Sequence, residues 1–311
     1  MLDATITVVG KIIILVLMMA VGFVCAKFRM ITSRGASQIT SLIVNIVSPC
    51  LIIMSFQTDV EGVSMAGIGI TVLLTILGQG LAVIFSELIF RKDEEGRRGI
   101  LRFAAAYSNC GFMGLPLVQA VVGDEGVVYA SVYIVAQSIF VWTHGYITMS
   151  GGARENIAKK LLLNPGLIAI VIGLPLFAFQ IQLPDILSTT MSAFSDLNTP
   201  LSMVMIGTYI AKLNFKEFFT EKEVYISALF RLVICPAAFL LCLLFIPLQP
   251  SILISCVIVA SAPSAGFTVI FAAMFGRDTK LASKTMGLCT LLSVFTMPFF
   301  TVMAEMMAGI L

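Results

Sequence analysis

Charge is scarce in this sequence. Only 12% of its 311 residues are Asp, Glu, Lys or Arg, whereas ordinary soluble domains carry about 25%. Hydrophobic residues make up 59%, and the mean hydropathy is +1.04. The balance excludes a soluble domain and predicts an all-α integral membrane protein, because the apolar runs have the length of membrane helices, about 20 residues, and lack the alternation of barrel strands. The net charge of +2 gives no indication of nucleic acid as a partner.

Residues that carry enzyme chemistry are also few. The chain has one histidine, His144, and few acidic residues inside its predicted spans, Glu87 among them, which disfavours a catalytic cluster built from several spans. It has no Walker motif, so ATP is not expected to be its direct energy source. Its seven cysteines show neither disulfide nor metal-ligand spacing, and we interpret them as packing residues. We therefore expect no enzyme, no cofactor and no metal, with a coupling ion, Na⁺ or H⁺, left unassigned.

Ten apolar stretches are predicted to span the membrane. Short cytoplasmic loops carry an excess of Lys and Arg, and 17 of the 19 basic residues lie in alternate loops and the adjoining helix ends. This pattern predicts a cell (cytoplasmic or inner) membrane protein with both termini outside. The first stretch lacks a basic leader and a convincing cleavage site, so we interpret it as a span. The predicted spans are 5–26, 37–56, 65–90, 99–122, 126–148, 163–180, 189–211, 224–246, 250–275 and 281–308.

Glycine and proline interrupt the fourth span within residues 108–117. Lipid offers no hydrogen-bond partner to freed backbone groups, so a broken helix persists only where it packs in protein or lines a wet cavity. Shifting the chain by 153 residues places Ser108 on Ser261 in the ninth span, which is interrupted in the same way. The sequence predicts two inverted five-helix repeats, 1–155 and 156–311, whose broken helices 4 and 9 cross about 15 Å inside the membrane.

Such a crossing is predicted to form a binding site. Each second half-helix begins with free N–H groups and a positive dipole end, which favour an anion, while the preceding carbonyls favour a cation. The same 153-residue shift pairs Asn45 with Asn198, each near a proline, and we expect both to face the site or to bond across helices. Simple kinks with small-residue contacts are the alternative. The candidate substrate-binding residues are Asn109, Cys110, Gly111, Met113, Gly114, Pro116, Ser261, Ala262, Pro263, Ser264, Gly266, Asn45 and Asn198.

Other polar residues inside the spans have less specific interpretations. Glu87, Arg231 and Lys11 lie near helix ends, where structural ion pairs or snorkelling to the interface are expected. His144 lies near the inner end of the fifth span and is interpreted as an interfacial residue. Gln79 and Gln137 are polar enough to contact a ligand, but their pattern is less specific than that of the asparagine pair.

The two interrupted motifs resemble those of the auxin efflux carrier family. Residues 109–117 resemble its fourth-helix signature, residues 260–266 and 275–278 its ninth-helix motif, and residues 45–49 its Asn-then-Pro pattern. The resemblance covers the whole chain, without the long cytoplasmic loop of plant PIN-type carriers, as in a prokaryotic member. It departs at Ala262, which is the repeat mate of Asn109, so the polar groups at the crossing are asymmetric.

This resemblance implies ten helices in two inverted repeats, similar to bile acid symporters, with scaffold helices 1, 2, 6 and 7 and transport helices 3–5 and 8–10. It implies organic anion substrates, such as auxin, malate or malonate, and often a homodimer. We expect a secondary transporter that carries a small mono- or dicarboxylate across the lipid bilayer by elevator-like alternating access. The alternatives are a Na⁺- or H⁺-coupled carrier of another solute and a receptor that does not transport.

Overall fold

The computed structural model describes residues 2–57, 63–91, 95–151, 163, 165–211 and 221–309, and every regular element in these ranges is helical. The first half contains α1 (Leu2–Lys27), α2 (Ser33–Leu42), α3 (Ser48–Ser55), α4 (Met65–Ile89), α5 (Glu95–Ala106), α6 (Leu115–Val121), α7 (Asp124–Phe140) and α8 (Tyr146–Ser150). The second contains α9 (Pro165–Ala178), α10 (Asp185–Ser195), α11 (Asn198–Ile210), α12 (Lys222–Leu229), α13 (Cys235–Leu243), α14 (Pro250–Ser261), α15 (Phe267–Met274) and α16 (Thr279–Ala308). The all-α prediction is confirmed.

Within these ranges, five continuous helical segments have the length and apolar composition to cross a membrane: Arg34–Met54, Met65–Ile89, Asp124–Ser150, Lys222–Leu243 and Thr279–Ala308. Shorter apolar helices stand at Val16–Lys27, Cys110–Val121, Pro165–Ala178 and Pro250–Ser261. These helices agree with a protein that passes through the membrane several times. The count of ten spans and the inverted repeat stay predictions, and the boundary at residues 155/156 lies outside the described residues.

In the described part of the chain, four π-helical turns widen the long helices: π1 (Ile43–Val47), π2 (Cys110–Gly114), π3 (Val141–Gly145) and π4 (Phe230–Ile234). Pro49, Pro116 and Pro236 follow π1, π2 and π4 by two residues. Proline has no N–H, and its ring would meet the carbonyl four residues earlier in a regular helix. The wider turn gives the ring room and frees backbone carbonyls, which is why π turns often mark functional sites.

The helices pack in two groups. In the first, α1 lies along α11, and α3 packs against α9 and α10. In the second, α14 lies at the centre and contacts α4, α7, α13, α16 and π2. Residues 255–261 of α14 are all buried, as expected of a helix that is apolar on every side. This central helix ends at the interruption of the ninth predicted span.

Two glycines bring α1 and α11 into backbone contact. A Cβ atom on Gly22 would lie 1.9 Å from the carbonyl oxygen of Val204, and one on Gly207 would lie 1.8 Å from that of Met19. The hydroxyl of Thr208 donates a hydrogen bond to the Gly22 carbonyl at 3.2 Å. Small residues allow this close approach, which is a common means of holding membrane helices together.

A carboxylate joins three elements at the predicted cytoplasmic end. Glu221, just before α12, accepts hydrogen bonds from Lys284 of α16 at 3.0 Å and from Arg97 of α5 at 2.5 Å. The bond from Lys284, with help from Arg97, lowers the pKa of Glu221 below its ordinary value. The contact therefore stabilises the fold at neutral pH and is lost as pH falls through the lowered pKa.

Glu221→Gln should lower the melting temperature slightly at neutral pH. The difference from the wild type should be constant above the ordinary glutamate pKa of about 4.3 and should close as pH falls through the lowered pKa of the folded protein. A thermal melt of the detergent-solubilised protein at several pH values measures this. Lys284→Met removes the main cause of the pKa shift, so the same substitution should have a smaller effect in that background. A difference that does not change with pH would contradict the assigned contact.

Candidate functional site

The interruptions of the fourth and ninth predicted spans meet through their backbones. The N–H of Asn109 donates to the carbonyl of Pro263 at 2.6 Å, and the N–H of Ala265 donates to the carbonyl of Tyr107 at 2.9 Å. These two bonds form an isolated antiparallel bridge between Ser108 and Ser264. Each interrupted segment thus provides hydrogen-bond partners for backbone groups of the other segment, as a broken helix inside a membrane protein requires.

Gln137 of α7 fixes the first interruption. Its amide nitrogen donates to the Ser108 carbonyl at 2.8 Å and lies 3.1 Å from the Cys110 sulfur, while its amide oxygen accepts from the Ser108 hydroxyl at 2.7 Å. Gln137 is buried. Its role differs from the ligand contact considered from the sequence, because all its described bonds go to the backbone and side chains of the broken helix.

The glycines of the motif have different surroundings. A Cβ on Gly114 would lie 3.1 Å from a methyl of Val259 and 3.2 Å from its Cα, so Gly114 allows π2 to pack closely against α14. A Cβ on Gly111 would meet only Ile134 at 3.9 Å, and one on Gly266 would meet nothing within 4 Å. Open space therefore lies beside Gly111 and Gly266, and both residues are half-buried.

Among the predicted site residues, Asn109 has a free side chain. It is half-buried, and its amide makes no hydrogen bond to the residues that the structure describes. The hydroxyl of Ser261 donates to the Ile258 carbonyl, and that of Ser264 bonds to Thr268. Cys110, Met113, Pro116, Ser261, Ala262, Pro263 and Ser264 are all buried. The structure thus brings the two motifs together but leaves few of their side chains accessible.

The two asparagines predicted to face the site, Asn45 and Asn198, differ in burial and in hydrogen bonding. Asn198 begins α11, is 1% exposed, and accepts a hydrogen bond from the Ser48 hydroxyl at 2.9 Å. Its amide nitrogen is buried with no partner among the described residues, and α11 packs against π2. Asn45 is exposed, and its amide donates to the carbonyl and hydroxyl of Ser41. The structure thus buries Asn198 in a helix that contacts π2, and it leaves Asn45 exposed.

A buried arginine contacts the junction from the carbonyl side. Arg231, in π4, is 3% exposed, and its guanidinium donates to the Ala106 carbonyl at 3.0 Å and to the Ala260 carbonyl. No described carboxylate pairs with it, so neither a structural ion pair nor snorkelling accounts for its position. One signal was available: the predicted spans contain few acidic residues, so a buried Arg231 had to find carbonyl partners.

Glu87 forms the ion pair expected of it. Its carboxylate lies 2.5 Å from Arg102 and 3.6 Å from the His144 ring. The other ring nitrogen of His144 bonds to the Tyr107 hydroxyl at 2.8 Å. His144 thus contacts the helix that leads into the first interruption, which its predicted interfacial position did not indicate. Lys11 has a side chain outside the described set.

A polar cleft of ≈ 270 Å³ lies between the two helix groups. On one side, α10 contributes a serine at every turn, because Ser188, Ser192 and Ser195 share one helix face. Gln119, near the end of α6, and Asp124, at the start of α7, also line the cleft. The cleft is on the side of the molecule that the charge pattern predicts to be outside.

Comparison with known sequences gives full-length matches. The profile of a family described as membrane transport protein matches residues 7–301. An uncharacterized transporter of Methanothermobacter thermautotrophicus is 27% identical over 94% of this chain and 96% of its own length. An uncharacterized transporter of Methanocaldococcus jannaschii is 23% identical over 91% and 94%. A Rhizobium meliloti protein named "Putative malonate transporter" is 23% identical over 88% and 89%.

Proposed function

Because the chain belongs to the membrane transport protein family, the auxin efflux carrier family that its motifs resemble, we propose that it is a secondary active transporter of a small organic anion. It is a multi-pass membrane protein whose partners are the lipid bilayer and a small-molecule substrate. The membrane is the cell inner membrane, with both termini outside.

The observation that carries this proposal is the junction of the two broken helices. No carboxylate lies in residues 107–117 or 258–269, while the Arg231 guanidinium is buried against the carbonyl ends. The half-helices that begin beyond the junction contribute partial positive charge. The free amide of Asn109 and the unpartnered amide nitrogen of Asn198 supply donors. This combination favours a carboxylate over a metal ion.

The packing of the helices supports an assignment of a fixed and a moving part. We assign ten membrane helices to two inverted repeats, 1–155 and 156–311, with predicted helices 1, 2, 6 and 7 as the scaffold and 3–5 and 8–10 as the transport domain. The contacts of α1 with α11 and of α3 with α9 and α10 support the first group, and the central place of α14 supports the second. The polar cleft between the groups is a route for the substrate in an elevator-like movement, and the scaffold pairs in a homodimer.

The substrate is a mono- or dicarboxylate. The Rhizobium meliloti relative, whose name refers to malonate transport, supports a small dicarboxylate as the first compound to test. Asn109 and the half-helix N-termini near Gly111, Gly114 and Gly266 bind one carboxylate.

Malonate, malate or an auxin-like acid should raise the melting temperature of the detergent-solubilised protein, because a ligand that binds only the folded state stabilises it by mass action. Asn109→Ala should shift the midpoint of this stabilisation to about tenfold higher ligand concentration, the usual order for a lost hydrogen bond to a charged group. Gln38→Ala removes an exposed amide of α2 and is the matched control. If no carboxylate stabilises the protein and Asn109→Ala leaves uptake into liposomes unchanged, the proposed function is wrong.

A further inference from the structure

The backbone carbonyls at the first interruption are already bonded. The Ala106 carbonyl accepts from both Gln79 and Arg231, and the Tyr107 carbonyl accepts from the N–H of Ala265. The Ser108 carbonyl accepts from Gln137, and the Asn109 carbonyl accepts from the N–H of Met113. A discontinuous helix can bind Na⁺ through such carbonyls when they are free. Here all four consecutive carbonyls have protein donors.

The negative partial charge at the junction is balanced by a side chain of the protein and does not require a bound cation. α5 and α14 end there, and each C-terminus carries about −0.5 of an elementary charge. Arg231 donates to the carbonyls of Ala106 and Ala260, one at each of these ends, and supplies a full positive charge. The guanidinium therefore neutralises both ends, and the positive ends of the opposite half-helices remain uncompensated.

We propose that Arg231 is a built-in cation that occupies, between the ends of α5 and α14, the place where a coupling cation would bind, so that anion transport does not require Na⁺. Arginine suits this role because its guanidinium stays charged when buried and its fork reaches two carbonyls at once. A further donor of the guanidinium, Nε, is buried and has no partner in the described ranges. Removing the side chain should leave a site for a small planar cation. The transport consequence, but not this site, rests on the proposed function.

The wild-type protein gives the first test. Its uptake of labelled malonate into liposomes should change by less than about twofold when choline replaces Na⁺ on both sides, since Arg231 already supplies the cation at the ends of α5 and α14. A tenfold or larger loss of uptake in choline, about the coupling expected of an essential ion, would overturn the proposal. This test needs no variant and no assumption about folding.

Arg231→Ala provides the second test, with guanidinium chloride as the probe. The variant should melt at lower temperature, because two helix ends lose a buried charged donor. Millimolar guanidinium, far below the molar range that denatures proteins, should raise its melting temperature more than choline chloride does. Gln79→Ala is the matched control, because it removes a donor to the same Ala106 carbonyl without removing a charge, and guanidinium should not stabilise it.

Three outcomes decide the question. Stabilisation of Arg231→Ala but not of Gln79→Ala supports the built-in cation. Equal response of the two variants, or of neither, overturns it. If Arg231→Ala does not fold, Arg231→Lys keeps the charge and should retain uptake that is independent of Na⁺; uptake by Arg231→Lys that depends on Na⁺ overturns the proposal. Because the thermal comparison uses no substrate, it remains decisive even if no carboxylate proves to be transported.

Discussion

Gly22→Val should lower the melting temperature by about 10 °C, corresponding to about 3 kcal/mol or more of destabilisation. The first added carbon would lie 1.9 Å from the Val204 carbonyl oxygen, which is backbone and has no rotamer into which to move. Relief requires α1 and α11 to separate, and that would break the bond from Thr208 to the Gly22 carbonyl. The substitution therefore tests the contact that holds the first helix group together.

Gly69→Val is the matched control. Gly69 lies in α4 and is exposed, and a Cβ atom added to it would meet nothing within 4 Å. Its substitution should change the melting temperature little, since surface changes are usually within about 0.5 kcal/mol. Gly207→Val acts on the same contact from the other helix, so its effect should not add to that of Gly22→Val. A Gly22→Val protein that melts like Gly69→Val would contradict the close packing of α1 on α11.

The positions of the broken helices could be read from the sequence because the signal is local. Glycine and proline weaken a helix through their own backbone, so Gly111, Pro116 and Pro263 indicated the interruptions without knowledge of their neighbours. The signal is not sufficient alone, because Pro175 and Pro298 stand inside continuous helices. Which residues of the two interruptions bond to each other could not be predicted from the sequence. The 153-residue shift aligned Ser108 with Ser261, whereas the backbone bonds pair Ser108 with Ser264. An alignment of repeats relates equivalent positions, whereas the backbone contacts depend on how the two interrupted segments cross each other.

The asparagine pair shows the same limit. Asn45 and Asn198 each lie near a proline, yet the first side chain is exposed and the second is 1% exposed. The rotation of each helix about its own axis decides which side chains are buried. That rotation depends on packing against neighbouring helices, which the 153-residue repeat pattern does not reveal. The π turns were also hidden, because hydropathy does not reveal one extra residue in a turn. Gln137 and Arg231 gained their roles from partners on other helices.

Gln137→Leu should lower the uptake of malonate by about tenfold or more. Leucine has a similar size but no polar atoms, so the buried Ser108 carbonyl and hydroxyl would lose their bonds to residue 137. Each unsatisfied buried group costs about 1–3 kcal/mol, and the interrupted segment can recover part of this by moving. Movement of Ser108 would also shift the adjacent residue, Asn109, away from the proposed anion site.

Gln137→Glu tests separately the two effects of residue 137, its hydrogen bonds to Ser108 and the charge that it places beside the site. Glutamate keeps an oxygen that accepts from the Ser108 hydroxyl, but it loses the N–H that donates to the Ser108 carbonyl. As a carboxylate it would add negative charge beside the predicted anion site. Burial disfavours the charged form of a carboxyl at this position, so carboxylates should stabilise the variant progressively less as pH rises and ionises it. Melting temperature and malonate uptake, measured for both variants beside Gln38→Leu as an exposed control, test this. Anion stabilisation that stays unchanged in Gln137→Glu even at a pH high enough to ionise this buried carboxyl would place the substrate elsewhere, since a negative charge next to Ser108 must repel an anion held by Asn109.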